Sequence, residues 1–192
     1  METHTHTKII KFWVENLGQE DWFSESETVD DLMLETFLPH WVKACNEDLD
    51  FTPTTPEKAL AYILLTDQFP KRMFKEKLKS FQSDRLAKKV AKKTIDMNFD
   101  LRIPEPQRQF FYFPLMHSEC LSDQERCVRL MLTRMPETSK VQIKHAKAHR
   151  QIIRSFGRFP FRNNVLSRTS RISEHFYLKF GGYSKTFNEI QT

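Results

Sequence analysis

The chain has 192 residues, 39% hydrophobic and 29% charged, enough for one sizeable core and short for two, so a single domain over 1–192 is expected. Four Gly against nine Pro, with 17 Phe, 3 Trp and 4 Tyr, exclude a disordered chain and argue against a many-turned β-sandwich, which leaves an all-α globule. The net charge of +5 is unevenly spread: residues 1–50 carry 3 basic and 12 acidic groups, 51–137 carry 16 and 11, and 138–192 carry 11 and 2, so an anion is steered toward the middle or the C-terminal third.

In chain order, helical spacing of apolar residues predicts helices near 8–17, 28–46 with a bend at Pro39, 56–68, 84–97, 104–113, 123–135, 138–155 and 172–180. His4 and His6 fall in a stretch expected to be a loose terminus. Thr54-Thr55-Pro56-Glu57 and Ser122-Asp123-Gln124-Glu125 fit capping boxes, and Ser83-Asp84 and Pro104-Glu105 mark two further starts. Pro70, Pro114, Pro160 and Gly157 mark stops. The basic run from Lys71 to Lys93, relieved by Glu76 and Asp84, reads as a solvated helix face. Strand signals are nearly absent. Helices of this length on short loops imply stacked antiparallel hairpins, the architecture of helical repeat proteins, although no strict sequence period accompanies it.

No run approaches the roughly 18–20 apolar residues of a membrane helix, since the longest, 59–65, stops at Thr66 and Asp67. The first seven residues lack the pattern of a secretory signal, so a cytoplasmic protein without membrane contact is expected. Cys45, Cys120 and Cys127 show no CxxC spacing and read as reduced thiols, with no disulfide framework or zinc knuckle.

Three segments mix helix breakers, aromatics and polar groups: 67–72, 113–119 and 149–163. Asp67 and Gln68 end an apolar helix, where a buried carboxylate requires a partner, with Arg158 or Arg162 the candidates. One reading gathers Asp67, Gln68, His117, Glu119, His149, Arg158, Arg162 and Asn163 around a cleft. Asp67, Gln68, Arg158, Arg162 and Asn163 would bind a small anionic ligand through guanidinium forks, and His117, Glu119 and His149 would be candidates for acid–base chemistry, with His149 as base. The other reading makes the same residues a buried network tying helix ends together. His145-x3-His149 places two imidazoles on one helix face, but no HExxH carboxylate accompanies them and Lys144, Lys147 and Arg150 crowd the same helix, so no metal site is assigned. Glycine-rich phosphate loops and a GxSxG elbow are missing, Cys120 and Cys127 lie in apolar company, and no cofactor is expected. The basic balance, pI 9.1, admits nucleic-acid binding, but no recognition motif supports it and the acidic first 50 residues oppose it. A binding module for a small anionic ligand or for a protein partner in a concave groove is therefore expected, with acid–base catalysis on a small anionic substrate and nucleic-acid binding as alternatives.

Ile10-Lys11-Phe12-Trp13, Trp22-Phe23 and the blocks LLTDQFPKRMF (64–74), YFPLMHSECLSDQE (112–125) and HRQIIRSFGRFPFRN (149–163) together resemble a mainly bacterial family, domain of unknown function 924. The resemblance implies an all-α, tetratricopeptide-like superhelix of antiparallel helical hairpins and brings no established reaction with it. The family pattern usually has His where this chain has Phe161, and often Asn where it has Met73.

Overall fold

The computed structural model describes residues 4–75 and 77–191, and every regular element among them is helical. The first three residues of the Thr/His run, Glu76 of the basic run, and Thr192 lie outside the described residues. By its contacts the chain divides into two compact units, Met1–Phe111 and Tyr112–Thr192.

The first unit contains α1 (Thr5–Ile10), α2 (Glu27–Cys45), α3 (Pro56–Ile63), α4 (Phe69–Met73) and α5 (Asp84–Asp96), with α1 and α5 both packed on α3 and α2 packed on α4. Its core is aromatic. Trp13 and Trp22 stack at 6.5 Å, Phe110 meets both edge-on at 5.7 and 4.9 Å, and Phe69 joins Trp13 to Phe37. Such ring pairs add about 0.5–1.5 kcal/mol each beyond the area they bury. Trp22 Nε1 donates to Trp13 O at 2.7 Å, which ties the chain at 22 back onto the first helix.

Several sequence expectations shift here. The loose terminus is instead helix α1, held by Thr5 Oγ1 donating to Asp50 at 2.8 Å and by His6 packed on Phe51. The cap of α3 is Thr55 rather than Thr54: its hydroxyl accepts from Lys58 N, while Thr54 donates to Thr52 O. Pro39 lies inside α2, which runs on to Cys45. Pro70 does not stop the chain: it sits in the first turn of α4, which follows directly on the preceding helical run. The helix reaches it by widening into a π-helical stretch, Leu64–Gln68. In α register Thr66 O would face Pro70, which has no N–H to give. Ser83 Oγ donates to that carbonyl at 2.7 Å and accepts from Trp41 Nε1 at 2.9 Å. The acid-rich N-terminal segment finds partners in the basic run: Asp30 binds Arg72 Nε at 2.6 Å and Lys75 Nζ at 2.8 Å. The helix expected over 104–113 is a 3₁₀ turn, Gln107–Phe111.

The second unit contains α6 (Phe113–Met116), α7 (Leu121–Arg134), α8 (Lys140–Phe156), α9 (Ile172–Lys179) and α10 (Gly182–Glu189). α7 and α8 pack most extensively, with α6 against α7 and α10 against α8. Pro114 and Pro160, like Pro70, start short helices. The expected box at 122–125 moves: the N-cap of α7 is Cys120, and Ser118 Oγ receives Cys120 N–H and donates to Asp123 at 2.7 Å. Gly157 closes α8 at φ 73°, a left-handed position that suits a residue without Cβ. α10 was not expected from the sequence. No helix of the described residues is long and apolar enough to cross a membrane.

Candidate functional site

In the first unit, Asp67 and Gln68 lie at the π-helical stretch, and both are buried. Gln68 Nε2 donates to Asp67 Oδ2 at 2.5 Å, and Lys71 Nζ reaches Asp67 Oδ1 at 3.1 Å and Asp84 Oδ1 at 2.9 Å. An ammonium one turn downstream thus offsets part of the cost of burying the carboxylate.

In the second unit, α6 ends at His117, α8 carries His145 and His149, and the chain after Gly157 supplies Phe159, Arg162 and Asn163. Phe159, fully buried, is the hub. Arg162 stacks its guanidinium 4.4 Å above that ring and donates to His117 O at 2.9 Å. His149 meets the ring edge-on at 5.1 Å, and His117 lies 6.5 Å from His149. Three of the candidates therefore converge: His117, His149 and Arg162.

His149 Nδ1 lies 3.0 Å from His145 O, and a carbonyl only accepts, so the Nδ1 proton is fixed there. Burial pushes His149 down to about 3, with the charges of His117 and Arg162 adding to it. The imidazole is neutral at pH 7 and too weakly basic to serve as the base expected from its unperturbed titration range. His145, also lowered by burial and by Lys144, meets the Tyr183 hydroxyl through Nδ1, and burial raises that phenol to about 12. Among the described residues no three His, Cys, Asp or Glu side chains converge where a metal could sit.

The other candidates are engaged in holding the 157–174 segment. Glu119 receives Phe159 N–H at 2.8 Å and both Nη atoms of Arg168. Burial pushes its carboxyl up, but those bonds outweigh burial and leave it below the usual range. Arg158, expected to serve Asp67 or a ligand, gives Nε and Nη2 to Glu174 at 2.7 Å each. Asn163 Nδ2 donates to Ser170 and Glu174, while its Oδ1 is buried without a hydrogen-bond partner among the described residues. Glu174 also accepts Arg171 N–H at the start of α9, and Arg158's hydrogen bonds foremost bring its carboxyl down to about 2. Arg168, Glu174 and Tyr183 were not singled out from the sequence. Glu174 had a signal, as one of two acids among 138–192; Arg168 and Tyr183 had none.

The model of the family described as a bacterial protein of unknown function (DUF924) matches residues 9–182. The solved structure of a protein of unknown function from Agrobacterium tumefaciens is similar at TM-score 0.85 and 32% identity, over 92% of this chain and 97% of that one. No curated protein matches the chain.

Proposed function

Because the chain belongs to the DUF924 family of bacterial proteins of unknown function, we propose that it is a helical binding module whose second unit takes a small anionic ligand at Arg162, His117 and His149. The observation that carries this reading is the grouping of the Arg162 guanidinium and the uncharged His149 imidazole on the Phe159 ring, with the His117 ring 6.5 Å from His149. A guanidinium is a planar fork of five donors whose geometry matches a carboxylate or phosphate, and the neutral imidazole adds hydrogen-bonding capacity. The second unit has 14 basic and 6 acidic residues, so its field draws anions.

Asn163 follows Arg162 in the chain and binds Glu174, Glu119 fixes the segment bearing Phe159, and Asp67 and Gln68 are the first unit's candidate polar pair. The reading keeps 1–192 as one functional domain, supported by a family match that runs through both units. It retains the tetratricopeptide-like arrangement, supported by α7 and α8 packing across a short link, and a cytoplasmic setting, supported by free Cys45, Cys120 and Cys127.

Thermal unfolding with inorganic phosphate or succinate tests it. Wild type gains melting temperature with ligand by mass action, and Arg162→Lys, which keeps charge but loses the planar fork, does not. Arg158→Ala melts lower yet retains the ligand-induced gain. No gain in the wild type, or an equal gain in Arg162→Lys, rejects the reading.

A further inference from the structure

The first unit holds a slot that the residues above leave unused. A cavity of about 280 Å³ lies between the end of α2, the segment 47–53, α3 and α5. α2 ends with Glu47 in the left-handed region, φ 58°, where Glu47 N–H bonds Ala44 O and Asp48 N–H bonds Lys43 O. That reversal turns the chain so that Phe51 and Pro53 form one wall. The facing wall is a single stripe of α5: Leu86, Lys89, Val90 and Lys93, spaced i, i+3, i+4, i+7.

Two features set this slot apart from an ordinary surface dent. Lys89 and Lys93 are exposed and make no ion pair among the described residues, whereas Lys71 of the same basic run is bound to Asp67 and Asp84. Tyr62 lines the slot with a hydroxyl that makes no hydrogen bond among the described residues. The walls are otherwise mostly apolar.

We propose that this slot binds a small amphipathic carboxylate, with its apolar body against Phe51, Leu86 and Val90 and its carboxylate on Lys89 and Lys93. Residues four apart on a helix have Cβ atoms about 5–6 Å from one another, so two ammoniums can share one carboxylate. The volume falls near the lower bound of ligand pockets, about 300 Å³, which suits a short chain or single ring and excludes a bulky lipid. Glu47, on the rim, repels a carboxylate and sets the ligand's direction, head toward α5. Burial, with Cys45 and Glu47 nearby, raises the Tyr62 phenol, so it stays protonated and available as a donor.

Isothermal titration with octanoate, and with octan-1-ol as its uncharged counterpart, tests the assignment. Octanoate binds the wild type, and Lys89→Gln/Lys93→Gln, altered only at exposed side chains, weakens it at least about tenfold while octan-1-ol changes less than about threefold. Glu47→Gln tightens octanoate, and Arg162→Lys leaves it unchanged, which separates this slot from the second unit's group. Absence of octanoate binding to the wild type, or equal affinity in the double variant, overturns the proposal.

Discussion

His149 carries its proton on Nδ1 against the carbonyl one turn back, and burial makes a second proton costly. Its folded pKa, about 3, lies below the unfolded value of 6.5, so between these two the unfolded chain binds the extra proton and the folded chain does not. Stability is then highest above pH 6.5 and falls as pH drops toward 3, by at most about 1.4 kcal/mol per pH unit from this group. His149→Gln, which cannot take up that proton, should lose less stability than wild type between pH 7 and pH 5 in urea denaturation. An unchanged slope would assign the pH dependence to other groups, of which His145, also lowered, is the first. Glu174 has the same sign in a lower window, contributing stability above about 4.5 that is lost toward about 2. Residue identity was legible for this group: His117 and Arg162 stand out in sequence because they flank helix breaks, and His149 because it opens the polar and aromatic segment 149–163. Their protonation was not, because the desolvation of an imidazole depends on Phe159 and Tyr183, brought to it by the fold.

At the scale of elements, the helical run that passes through Pro70 does so with a neighbour serving the carbonyl that the proline cannot. Ser83 is that neighbour. It is fully buried at the start of α5 and satisfies both Thr66 O and Trp41 Nε1. Ser83→Ala leaves both groups without their partner in a dry site, which should cost about 1–3 kcal/mol in chemical denaturation. A loss below about 0.5 kcal/mol, the size of an ordinary surface substitution, would show that the bonds are replaced on relaxation. In sequence Ser83 reads as an N-cap, and indeed α5 begins after it, yet its hydroxyl makes no capping bond. Local pattern located the helix start, while the hydroxyl's use followed from two segments distant in sequence. The ends of α2 and α5 fall where the apolar period places them, but the left-handed reversals just after them, at Glu47 and Asn98, were illegible for a related reason: neither is a glycine, at φ 58° and 55°. Each is held by the reverse-turn bonds that follow its helix, Asp48 N to Lys43 O and Phe99 N to Thr94 O.

Over the whole molecule, charge is sorted by unit. The first has 16 basic and 19 acidic residues, the second 14 and 6. In the first unit Asp30 neutralises Arg72 and Lys75, with the Arg72 side chain only 11% exposed and its Nη2 buried without a hydrogen-bond partner among the described residues. Asp30→Asn should therefore lower unfolding free energy by about 1–3 kcal/mol, more than a surface pair would, because it strands a mostly buried cation. Urea denaturation of the variant checks this, and a change within about 0.5 kcal/mol would mean that the pair acts as an exposed one.

The sequence by itself determined the helical class, the positions of most long helices and the family, because apolar period, proline placement and long motif blocks are properties of contiguous residues. Tertiary structure decided which polar groups meet. Arg158 goes to Glu174, Glu119 to Arg168, and Arg162 to the Phe159 ring and His117 O. Such choices turn on distances and desolvation among residues far apart in the chain, which no local pattern encodes.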